Sequence, residues 1–141
     1  MVNAASAWKI IESGLKHART REFPPMTIAV LDSGGQLVAF LREDDSSLFR
    51  EKIARAKAVG ALGFGVGSRA LAARAAAHPA FIAAVTTLVE GELIPVPGGV
   101  LVRSEDGTII GAVGVSGHLP DDDEAVAVAG IRAAGLVADI G

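Results

Sequence analysis

Two residues in this chain have the chemistry of an acid–base or ligand site, Lys57 and His118. Lys57 lies on the side of a helical segment made otherwise of alanine and glycine, with Ala54, Ala56, Ala58 and Gly60 around it. An ammonium buried there needs a carboxylate or an anionic ligand, because desolvating it alone is costly. His118 follows the small residues Gly114, Ser116 and Gly117. An imidazole titrates near neutral pH and can carry a proton or ligate a metal. The strand-end loops holding Gly98, Gly99 and Gly117 expose backbone N–H groups that can cradle a carboxylate or phosphate. The acids Asp121, Asp122, Asp123 and Glu124 begin a helix, where its dipole favours negative charge, and they are the carboxylates available to pair with Lys57.

Other residues are less suggestive of chemistry. His17 reads as a helix-surface residue and His78, before Pro79, as a helix terminator. No spacing of His, Asp or Glu supports a closed zinc or calcium site, so no metal site is expected. The glycines at 63, 65 and 67 follow a helix rather than a strand, which is the wrong context for a dinucleotide fingerprint, and they read as a helix stop.

The elements that position these residues follow from hydrophobic period. Residues 3–21 form an amphipathic helix capped by Asn3, with Ala4, Ala7, Trp8, Ile11, Leu15 and Ala18 on its apolar stripe. Residues 26–31 and 36–42 are strands joined by an Asp-Ser-Gly-Gly hairpin turn. Residues 48–62 are helical, 69–77 form a short helix capped by Ser68, and 80–89 read as a short helix or irregular structure. Residues 100–104 and 109–116 form a second hairpin around Asp106 and Gly107, and 121–138 form a final helix. Two hairpins separated by helices imply an antiparallel sheet of the α+β class, with helices over its faces.

Composition narrows the function. The chain has 141 residues and reads as one domain over its whole length, 1–141. It has no cysteine, which excludes disulfides and thiolate chemistry. No tyrosine, 4% aromatics and a net charge of −3 argue against nucleic-acid binding. No apolar run approaches the roughly 20 residues that span a bilayer, and the first residues lack a signal-peptide pattern, so a cytoplasmic protein without a membrane partner is expected. Hydrophobic residues reach 50%. Subunit interfaces or a ligand pocket explain that surplus, and a homo-oligomer of even subunit number is expected.

Taken together and in order, the hairpin IAVLDSGGQLVAFLRED, the helix ARAKAVGAL, the loop PVPGGVLV, the strand GTIIGAVGVSG and the helix DDDEAVAVAG resemble the GlcG/HbpS-like family. That family includes haem-binding and haem-degrading proteins and the C-terminal domain of PduO-type cobalamin adenosyltransferases. The resemblance covers residues 26–136. It implies a profilin-like α/β/α sandwich, assembly into dimers, tetramers or octamers, and a setting in catabolism. Its pattern matches at Arg42, Lys57, Gly98, Gly99, Ser116, Gly117 and Glu124 among others, and departs at residues 43–46, where the family carries Met-Asp-Gly-Ala.

The leading expectation is a small-molecule-binding protein, with haem as a possible cofactor. Arg42, Gly98, Gly99, Ser116, Gly117 and Glu124 would hold the ligand, and any of the three histidines is available to the iron. The alternative is a cofactorless catabolic enzyme acting on a small anion by proton transfer or lyase chemistry. There Lys57 and His118 would be the acid–base residues and the glycine amides would stabilise an oxyanion. An accessory subunit without its own ligand is a third reading.

Overall fold

Alternation along the strands decides which helices cover which face. The computed structural model describes residues 1–141. The chain runs α1 (Ala4–Thr20), β1 (Thr27–Asp32), β2 (Leu37–Arg42), α2 (Arg50–Phe64), α3 (Ser68–Ala77), α4 (Pro79–Leu88), β3 (Gly99–Arg103), β4 (Ile109–Ser116), α5 (Pro120–Ala133) and β5 (Val137–Asp139). The strands form one sheet in the order β2-β1-β4-β3-β5, with every neighbouring pair antiparallel. Ile28, Val30, Val100, Val102, Val113 and Val115 point to one face and pack on Ala7, Ile10, Ile11, Val126 and Ile131 of α1 and α5. Residues of the other parity, Leu31, Leu101 and Ala112, meet Ala58 and Ala61 of α2. The result is the profilin-like α/β/α sandwich.

Local chemistry sets the boundaries. Asn3 caps α1, its Oδ1 accepting from the Ser6 N–H at 2.8 Å. In the β1–β2 turn Asp32 Oδ1 accepts from the N–H groups of Gly34 and Gln36. Gly65, with φ of 69°, ends α2 in the left-handed conformation that favours glycine.

Three expectations are corrected, and for residues 80–89 the helical alternative holds. The last helix stops at Ala133, and residues 137–139 instead extend the sheet beside β3, tied by Arg103 Nε to Asp139 Oδ2 at 2.8 Å. Ser68 is the first residue of α3 rather than its cap, which is Gly67. Residues 79–88 are a regular helix, started by Pro79 at a position that needs no N–H. Trp8 is 53% exposed, and the inward stripe of α1 runs through Ala7, Ile10, Ile11, Gly14 and Ala18. The reason is the close crossing of α1 and α5: a Cβ at Gly130 would lie 2.3 Å from the Ile10 carbonyl oxygen. Indole does not fit such a contact.

Candidate functional site

Strand register gathers most of the expected site residues at one end of the sheet. Thr27 at the start of β1 lies across from Arg42 on β2 and from Ser116 on β4. Gly99 at the start of β3 lies across from Gly114. These two glycines leave a bare patch on which α2 rests. A Cβ on Gly114 would come within 1.8 Å of the Ala54 carbonyl oxygen, and one on Gly99 within 2.2 Å of the Lys57 carbonyl oxygen. The close seating carries Lys57 to the loop between β4 and α5.

There Lys57 Nζ donates to the Val115 carbonyl at 3.0 Å and to Asp123 Oδ2 at 3.1 Å. The two side chains are only 3% and 2% exposed. Burial pushes the Lys57 pKa down and the Asp123 pKa up, and the attraction between them works against both shifts. Gly98, at φ of 122°, makes room for the ammonium, since a Cβ there would lie 2.7 Å from Nζ. Asp123 Oδ1 accepts from the His118 N–H at 2.8 Å. The ion pair therefore pins the loop.

The surrounding polar groups are also engaged within the chain. The Gly99 N–H donates to Ser68 Oγ at 2.7 Å. Arg69 grips Glu124 with two bonds, Nε to Oε2 at 3.0 Å and Nη2 to Oε1 at 3.1 Å, and also reaches Asp121. Ser116 Oγ accepts from Arg50 Nη1 at 3.1 Å. Arg42 donates to the Ser46 carbonyl. Beside Arg42 an open groove of about 410 Å³ runs between α1 and β2, lined in part by Leu15, Arg19, Leu41 and Glu43.

The structure thus brings Lys57, Gly98, Gly99, Ser116, Gly117 and Glu124 together, with Arg42 one strand beyond Thr27 at the same end. Most of their polar atoms face each other instead of an open cradle. His118 differs. Its imidazole is exposed at the rim, with Nε2 3.4 Å from Asp122 Oδ2 and its ring 5.4 Å from the Phe23 ring. His17 flanks the other side of Phe23 at 6.4 Å, and its Nε2 is buried with no partner. Burial, then the nearby Arg21, lowers the His17 pKa. His78 is exposed between α3 and α4. No three His, Asp or Glu side chains converge as metal ligands, and no helix is long and apolar enough to cross a membrane.

Sequence reasoning left out Arg50, Ser68, Arg69 and the specific role of Asp123. The signal for Asp123 was present as one of four consecutive acids, but only the seating of α5 on the sheet decides which one turns inward.

The family model "Haem degrading protein HbpS-like" matches residues 2–132. Solved structures with similar folds include the PduOC–haem complex, with a TM-score of 0.86, 20% identity and 96% of each chain covered. The Klebsiella pneumoniae protein ORFY gives 0.85 and 23%, over 95% of this chain and 90% of that one. HbpS gives 0.79 and 24%, over 93% and 88%. No curated protein matches the chain in sequence.

Proposed function

The chain belongs to the HbpS-like family of haem-degrading proteins, and from that premise we propose that it binds haem at the end of the sheet where His118 is exposed. The observation that carries this reading is the His118 imidazole, held at the rim on a loop pinned by the buried Lys57–Asp123 pair. One imidazole nitrogen faces Asp122. Metal-binding histidines commonly present one nitrogen to a carboxylate while the other takes the metal. Phe23 and the exposed Leu119 add apolar surface for a ring. His118 would hold the iron of a bound haem, and that iron would supply redox chemistry. The part of the chain is to fix the imidazole and hold the ring.

The solved fold of PduOC with haem supports the same ligand class. We favour this over a cofactorless acid–base enzyme, because the Lys57 ammonium is committed to Asp123 and Val115 and the Gly99 and His118 amides to Ser68 and Asp123. Titration of the protein with haemin tests the reading. It predicts a saturable Soret change at one haem per chain. A featureless, unsaturable partition of haemin would contradict it.

A further inference from the structure

We infer that the α2 side of this sheet end carries a carboxylate-binding site built by Arg42 and Arg50. The inference goes beyond the haem reading and can hold without it.

Residues directly opposed in antiparallel strands project to the same face. Arg42, Thr27 and Ser116 therefore form one row across β2, β1 and β4. With strands roughly 4.8 Å apart, Arg42 and Ser116 stand about 10 Å apart along this row. Arg50, the first residue of α2, closes the row from above. Its Nη1 donates to Ser116 Oγ at 3.1 Å and its Nε to Ser47 Oγ at 3.3 Å.

Neither guanidinium has a carboxylate partner. Glu43 is paired with Arg19, Asp123 with Lys57, and Glu124 and Asp121 with Arg69, while the exposed Asp44 and Asp45 in the intervening loop form no ion pair with either guanidinium. Two cations thus share one end of a sheet without an ion-pair partner, and Arg50 also acts on Lys57 as a like charge. A second, independent feature lies in the same row. Thr27 is wholly buried and its Oγ1 has no hydrogen-bond partner; Ser46, whose carbonyl Arg42 holds, is also buried with an unpartnered Oγ. Buried hydroxyls without partners are costly in a finished core. Their unused hydroxyl donors suit the oxygens of an anion.

The donors select the ligand. Guanidinium forks match the two parallel oxygens of a carboxylate, hydroxyls supply further donors, and the α2 N-terminus adds a favourable dipole. A carboxylate can arrive as a free small acid or as the propionate of a haem, and the chemistry recognised is the same.

Calorimetry with succinate at fixed ionic strength, and with haemin and its dimethyl ester, tests the inference and separates the two sources. Arg42→Met, Arg50→Met and, as a control, Arg132→Met on the exposed end of α5 are compared with the unmodified protein. The site predicts at least tenfold weaker binding of succinate, or of haemin but not of the ester, in both Arg42→Met and Arg50→Met, with Arg132→Met unchanged. Weakened succinate identifies a free acid, and weakened haemin with unaffected ester identifies a propionate. If neither probe distinguishes the variants from the unmodified protein, or neither binds, the site does not exist. Failure of haemin to bind at all, with succinate still sensitive to both arginines, would overturn the haem reading alone. Should Arg50→Met not fold, the exposed Arg42→Met and the shape-preserving Thr27→Val, each expected to weaken the same probe, carry the test.

Discussion

Lys57 Nζ and Asp123 Oδ2, 66 residues apart in the chain, meet at 3.1 Å in almost complete burial. The other oxygen of Asp123 holds the His118 backbone, so a single buried pair joins α2, α5 and the rim loop. Removing one member of such a pair leaves an uncompensated charge in the interior. Lys57→Met is expected to lower unfolding free energy by about 3–5 kcal/mol, whereas the double variant Lys57→Met/Asp123→Leu recovers much of that loss. Urea unfolding measures both. Native stability in Lys57→Met would show that the pair does not tie these elements together.

The seating of α2 on bare sheet backbone gives a contrast in sign. Gly114→Ala places a Cβ 1.8 Å from the Ala54 carbonyl oxygen, against backbone that cannot swing aside. It is expected to cost about 3 kcal/mol or more, the upper end for overpacked cores. Gly63→Ala, in the same helix with nothing within 4 Å, is expected to stabilise by roughly 0.5–1 kcal/mol. Thermal melts of the two variants should move in opposite directions.

His17 makes stability depend on pH. Its folded pKa lies below the ordinary value of 6.5, through burial first and Arg21 second. The unfolded chain therefore takes up the proton first. Stability from this group is complete above 6.5 and is lost as pH falls through the folded pKa. The stability of the unmodified protein relative to His17→Gln should shrink between pH 7.5 and pH 5. A gap that stays constant or widens would show that the imidazole is not held neutral.

Self-association is expected from α3 and α4. Residues 79–89 carry no charge, and Phe81 and Leu88 are 56% and 79% exposed. Light scattering at micromolar concentration should report an even-numbered assembly, which Leu88→Asp weakens without loss of helix content. A 14.3 kDa particle at every concentration rules the assembly out.

Much of the fold is legible in the sequence because its strands are apolar and bounded by turn residues. Residues 109–116 are read to the residue, and the Asp32–Gly35 turn follows from Asp and Gly chemistry alone. The three-residue β5 is not legible, since so short a segment has no measurable period and borrows its conformation from β3. The site is half legible. Lys57 stands out as a charge among alanines, and Gly98 and Gly99 as a strand-end loop rich in small residues. Ser68 misleads because a serine at a helix start ordinarily caps, whereas here its hydroxyl turns inward to Gly99. Arg50 carries no local signal, because what marks it is Ser116, 66 residues away.

The central claim is that the rim imidazole of His118 ligates haem. The most direct measurement is the absorption spectrum of haemin-loaded protein compared with His118→Gly, before and after addition of free imidazole. The account predicts that the variant loses the spectrum of a nitrogen-ligated iron and that imidazole restores it. A His118→Gly spectrum identical to that of the unmodified protein, with imidazole adding nothing, would contradict it.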